Sequence, residues 1–118
     1  MTKRSLRASD FLEHILTAIE RIERYTLEKD IAAFVQNEQL QDAVIRNIEI
    51  LGEAANNIKK IDPKLTNDHP EVPWLVMVAM RNRVSHAYFS IDLEIVWATI
   101  RNDLPVIKKK IQALMKRL

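Results

Sequence analysis

The sequence predicts an all-α fold, an antiparallel bundle of four to five helices, on three observations. Apolar residues recur at three- and four-residue steps over long stretches, the period of a helix with one buried face. A single glycine and four prolines leave too little turn chemistry for a many-stranded sheet. At 118 residues the chain is long enough for one domain with a real core and too short for two. Residues 1–118 are therefore read as a single helical domain.

Composition narrows the class further. A hydrophobic content of 47% with 29% charged residues is ordinary for a soluble globular protein. The longest apolar run, Trp74 to Met80, is far short of the ~20 residues that span a bilayer. The absence of cysteine excludes disulfides and thiolate metal sites, and it fits a reducing compartment. Met1 to Ser9 is basic with no apolar stretch behind it, so no signal peptide is visible and a cytoplasmic location is expected. Net charge is only +2. Its cations gather at Lys3, Arg4 and Arg7 and again at Lys108, Lys109, Lys110, Lys116 and Arg117. Solvated faces and a helix C-terminus that favours cations account for them, and a polyanion footprint is the alternative.

The first helix is expected from about Asp10 to Tyr25, capped by Ser9 or Asp10, with Asp10 and Glu13 at capping-box spacing. Leu12, Ile15, Leu16, Ile19 and Ile22 form its apolar stripe, and His14 beside that stripe reads as a surface or boundary histidine. Asp30 to Val35 reads as a short helix or turn with Phe34 as a core anchor. Asn37 then caps a second long helix, Glu38 to Ile61, with Val44, Ile48, Leu51, Ala55 and Ile58 facing inward. Gly52 inside it costs about 1 kcal/mol relative to alanine, which close approach by another helix would offset. Arg46 and Glu49 read as a structural ion pair.

Asp62 to Pro73, with three prolines, is expected to be a loop within the domain, with His69 exposed on it. The next helix starts near Pro73, and its apolar run to Met80 places it at the bundle centre. The last element, Asp92 to Leu118, carries a sustained apolar pattern from Leu93 to Leu118. Pro105 cannot donate to the carbonyl of Arg101, so a kink or restart is expected there, with Asp103 as a cap for the second half.

Working side chains concentrate in Met80 to Phe89. Arg81, Asn82, Arg83, Ser85, His86 and Tyr88 can bind phosphate, move a proton and hold a substrate in register. Asn82 and His86 share one helix face by their spacing, as do Arg81 and Ser85. Arg81 and His86 are splayed by roughly 140° on an ideal helix. Either Arg81 reaches round, or the helix loosens near His86, or the two serve different edges of a site shared between two chains.

Arg81-Asn82, three residues, His86, one residue and Tyr88 resemble the signature of the HepT-like ribonuclease toxins of the HEPN superfamily. Asp42 to Asn47 with Ile50 to Ala55 is similar to that family's second helix. Pro70 to Trp74 resembles its lead-in to the motif helix, and Val96-Trp97 with Asp103-Leu104-Pro105 its last helix. The similarity covers roughly residues 9 to 115. It implies an HEPN-like fold, RNA as substrate, and a composite site at a twofold interface. It also implies that a cognate MntA-like nucleotidyltransferase antitoxin attaches AMP to Tyr88.

The chemistry of the motif agrees. Metal-independent RNA cleavage uses the 2′-hydroxyl as nucleophile and needs a base, an acid and cations for the charge on phosphorus. One imidazole serves poorly as both acid and base at once, so a homodimer with two copies of Arg81 and His86 in one groove meets the need. Arg81 would clamp the phosphate, and Asn82 would orient His86 or the substrate. Arg83 and Ser85 would contact substrate, and Tyr88 would stack on a base or hydrogen-bond the backbone. No metal or cofactor is expected. The competing structural reading has Arg81, Asn82 and His86 merely terminate a helix while Tyr88 packs. The competing function is a non-catalytic helical module that binds a nucleotide or a protein through the same groove.

Overall fold

The computed structural model describes residues 7–86 and 91–118, and of His86 the backbone alone. Among these residues the fold is all-α, as expected. In order come α1 (Ala8–Thr26), α2 (Ile31–Val35), α3 (Glu38–Ile61), α4 (Pro63–Asp68), α5 (Trp74–His86) and α6 (Leu93–Ala98). A π-helical turn (Thr99–Asp103) then leads into α7 (Leu104–Arg117). The long helices α1, α3, α5 and the α6–α7 rod build the bundle, with α1 and α5 both packed on α3 and α7 packed on α1. Among the described residues no helix is long and apolar enough to cross a membrane.

The expected apolar stripe of α1 is buried at Leu12, Ile15, Ile19 and Ile22, while Leu16 is half-buried at the stripe's edge. Burying each such side chain contributes about 1.5–3 kcal/mol. The helix begins earlier than its capping pattern suggested. Asp10, in its first turn, accepts the Arg7 backbone N–H at 2.8 Å, so Asp10 is the reach-back partner rather than the cap. At the other end Glu28 takes a positive φ of 60°, turning the chain toward α2.

Asp30 caps α2 by accepting the Ala33 N–H at 2.9 Å, and Phe34 is fully buried against Trp97, ring centroids 5.3 Å apart. The Gln41 amide fastens the end of α2 to α3 by donating to the carbonyls of Phe34 and Val35, at 3.0 and 2.9 Å. Helix α3 has the expected bounds, with the Asn37 side chain accepting the Leu40 N–H at 3.0 Å.

Three expectations are corrected here. The segment after α3 is not all loop. Asp62 accepts the Leu65 N–H at 3.1 Å and Pro63 sits in the first turn, where its missing N–H costs nothing, so α4 forms. His69 is not simply exposed: its carbonyl accepts the Trp74 indole N–H at 3.1 Å, and its Nδ1 lies 3.1 Å from Glu71 Oε2. Helix α5 is not central. Trp74, Met77, Met80 and Val84 are buried, but Leu75 is 69% and Val76 48% exposed. One face of α5 packs on α3 and the opposite face carries apolar groups outward.

At Pro105 the expected restart is present: the π-helical turn ends at Asp103 and α7 begins at Leu104. The Leu104 N–H bonds to the Thr99 carbonyl, five residues back, and Pro105 opens α7 without needing a donor. Asp103 makes no side-chain cap, contrary to expectation. Arg101 braces the turn: its guanidinium lies over Trp97, 4.6 Å from the ring centroid, and donates to the Lys29 carbonyl at 2.6 Å.

Candidate active site

The outer face of α3 is the floor of a cleft of about 330 Å³. Phe11 and His14 of α1 form one wall, and Arg81 and Ser85 of α5 form the other. Arg46, Glu49, Ile50, Glu53, Ala54 and Asn57 line the floor, consistent with their three- and four-residue spacing along one face of α3.

Arg81 enters this cleft because of Gly52. A Cβ at Gly52 would overlap Arg81 Cβ and lie 2.8 Å from the Met77 carbonyl oxygen, so the missing side chain is what lets α3 and α5 approach. The close approach expected at Gly52 is present. The Arg81 stem lies across the glycine and its head divides between two acceptors. Nη2 pairs with Glu53 Oε2 at 2.9 Å, and Nη1 donates to Asn82 Oδ1 at 2.8 Å. One turn further along α5, Ser85 Oγ donates to Glu49 Oε2 at 2.9 Å.

The shared face expected for Arg81 and Ser85 is thus observed. Asn82 is exposed at the rim and touches the cleft through Arg81. Arg83 is elsewhere, lining a small recess with Met80, Ile95, Val96 and Thr99, so within one chain it does not join Arg81. Position 86 falls, by helical register, on the outward strip with Leu75, Ala79 and Asn82. The role given to Tyr88 lies outside the described residues, as does the side chain of His86.

Two groups were misread or missed. Arg46 and Glu49 do not pair: Glu49 turns to Ser85, and Arg46 has no ion-pair or hydrogen-bond partner among the described residues. Glu53, the acceptor for Arg81, drew no attention as a site residue. The available signal was its place one turn beyond Glu49 and next to the lone helical glycine. His14 is exposed, as expected, but it lines the cleft, with its ring edge-on to Phe11 at 5.6 Å between centroids. Among the described residues no three His, Cys, Asp or Glu side chains converge to hold a metal ion.

The all-α bundle, with Arg81-Asn82 and position 86 on the helix beside this cleft, is consistent with an HEPN-like fold. The family described as ribonuclease HepT-like matches residues 15–114. A Thermococcus cleftensis protein named probable ribonuclease HepT is 43% identical over 107 residues, 91% of this chain and 94% of that protein. A Methanocaldococcus jannaschii protein named as a candidate RNase is 35% identical over 118 residues, all of this chain and 97% of that one. A second protein of that organism, named as a gamma-glutamylcyclotransferase and candidate RNase, is 39% identical over 108 residues. This chain spans 47% of its length. No solved structure matches the chain significantly. The chain belongs to the HepT-like ribonuclease family.

Proposed function

We propose that this protein is a metal-independent endoribonuclease, the toxin of a toxin–antitoxin pair, with a composite active site at a homodimer interface. The observation that carries the reading is the place of Arg81, whose stem lies in the cleft against α3 and whose head reaches Asn82 on the outward strip, the strip on which position 86 falls by register. One chain offers a single imidazole, which serves poorly as acid and base at once, and two chains meeting along the outward strip would bring two copies of the motif into one groove. Exposed Leu75 on that strip, with exposed Val76 next to it, supports this, since water-exposed leucine and valine on neighbouring positions of a helix favour burial by a partner.

In the reaction, Arg81 neutralises charge gathering on the phosphorus, and Asn82 fixes the Arg81 head by accepting its Nη1–H. One His86 takes the proton of the 2′-hydroxyl and the other gives a proton to the leaving 5′-oxygen, so the product is a 2′,3′-cyclic phosphate. Control falls to a cognate MntA-like nucleotidyltransferase that adenylylates Tyr88. The added phosphate and base would compete with RNA for the motif arginines.

The test is cleavage of RNA by the purified protein in EDTA, with product ends identified by mass spectrometry. Cyclic phosphate ends are expected, with loss of cleavage in Arg81→Ala and His86→Ala at unchanged helical circular dichroism. Activity that requires added magnesium would overturn the scheme. Co-expression with the neighbouring nucleotidyltransferase should add AMP to Tyr88, and inhibition that persists in Tyr88→Phe would exclude that residue as the seat of control.

A further inference from the structure

The composite reaction uses Arg81 and leaves most of the cleft unexplained. Its volume, about 330 Å³, lies in the range of small-ligand sites, about 300–1,000 Å³. Its walls are chemically unlike. On the α1 side is an aromatic pair, Phe11 and His14, and bases stack on aromatic faces whatever their sequence. On the floor is Glu49, whose Oε2 is held by Ser85 while Oε1 has no hydrogen-bond partner among the described residues. Further along α3, toward its N-terminus, lies Arg46, which has no counter-ion among the described residues. From Arg46 to Glu53, which holds Arg81, is two helical turns, or ~10 Å of rise. The cleft therefore has a cation toward each end, a stacking wall and a fixed carboxylate between them.

We propose that this cleft is a base-reading subsite, seating a guanine next to the phosphate that Arg81 clamps, with Glu49 as the reader. The proposal rests on the ribonuclease reading above for its substrate class. The choice of guanine follows from the acceptor. A carboxylate needs two adjacent donors to be satisfied by both its oxygens, and guanine alone among the four bases presents them, N1–H beside the N2 amino group. Adenine and cytosine place a ring nitrogen acceptor next to their amino group, and uracil flanks its single N–H with two carbonyls, so each would set an acceptor against the carboxylate. Ser85 fixes the Glu49 rotamer, which makes the carboxylate a preorganised reader. Phe11 supplies the stacking face, and Arg46 meets the phosphate on the far side of the base.

Titration of the wild-type protein with guanosine, adenosine, cytidine and uridine 3′-monophosphates, followed by backbone amide NMR, tests the assignment without requiring cleavage. The guanosine nucleotide should bind about tenfold more tightly than the others, the discrimination expected of one bidentate base contact. Its shifts should centre on Phe11, Glu49 and Ser85. Glu49→Gln should bring the four affinities together while the circular dichroism spectrum is unchanged. Equal binding of all four nucleotides, or shifts confined to the outward strip of α5, would overturn the proposal. Failure to cleave any RNA would instead count against the ribonuclease reading and leave the nucleotide preference measurable.

Discussion

Gly52 and Arg81 pack backbone against side-chain stem at the crossing of α3 and α5, and a methyl group at Gly52 would overlap the Arg81 Cβ. The Met77 carbonyl oxygen, 2.8 Å from the same point, is backbone and cannot swing away. Gly52→Ala gains about 1 kcal/mol in helix propensity but forces apart the two helices that set the cleft. Overpacking of this kind costs typically about 1–3 kcal/mol and sometimes more, and with helix backbone involved the upper end is expected. Thermal unfolding by circular dichroism should show a net lowering of Tm by several degrees, with RNA cleavage reduced further than the lost stability explains. An unchanged or raised Tm would mean that the helices are not held this close.

Glu53 holds Arg81 in the absence of substrate, and a phosphate must displace it. The pair is solvated, with side chains 34% and 47% exposed, so its own contribution to stability is small, on the order of 0–1 kcal/mol. Glu53→Gln should therefore leave folding nearly unchanged and strengthen RNA binding several-fold by releasing a guanidinium. It should also steepen the salt dependence by roughly 0.7 in log–log slope, the value for one added phosphate contact on a single strand. Fluorescence anisotropy across a salt series measures both. Weaker binding in this variant would instead mark Glu53 as the group that positions Arg81.

These two residues show where sequence stops being legible. The bounds of α3 could be read because Asn37 and Pro63 are strong local signals on either side of an unbroken apolar period. The Gly52 approach could be read because a mid-helix glycine has a cost that something must offset. Partner choice could not: Glu49 chooses Ser85, 36 residues away, over Arg46 three residues away, because α5 is packed against that face of α3. Likewise an all-apolar run does not tell a helix enclosed by neighbours from one with an open side, so the exposed side of α5 was missed. The prolines of 62–73 suggested loop, although an aspartate before a proline is also a helix start.

The Glu71 carboxylate ties the α4–α5 connection to the end of α7 and gives the fold a measurable acid response. A hydrogen bond from its own backbone N–H, helped by His69 and the Arg117 guanidinium, holds its pKa below the ordinary 4.5. The contacts themselves are 3.1 Å to His69 and 3.7 Å to Arg117. A depressed carboxyl pKa stabilises the fold above the unfolded-state value, and that contribution fades as pH falls through the folded value. Carbon-13 NMR of the side-chain carboxyl should give a midpoint below 4.5. His69→Ala should raise it part of the way, with the backbone hydrogen bond retaining the rest. A midpoint at or above the ordinary value would show that these contacts do not persist in solution.

The outward strip of α5 gives the composite site its most direct test. Leu75, Ala79 and Asn82 lie on one side of the helix by register and all are exposed, with Leu75 at 69%. Substitution at so exposed a position removes no core packing, so Leu75→Glu should leave the circular dichroism spectrum and Tm essentially unchanged. If two chains meet along this strip, the variant places two carboxylates near the twofold axis in a low-dielectric contact, where unpaired charge is costly. Light scattering at micromolar concentration should then report the 13.7 kDa chain mass for the variant and twice that mass for the wild type. Cleavage should fall with the dimer, because one chain supplies a single motif histidine where the reaction needs an acid and a base. A wild-type protein that is monomeric while it cleaves RNA would show that a single chain assembles the site. A dimeric, active Leu75→Glu variant would move the interface off this face of α5.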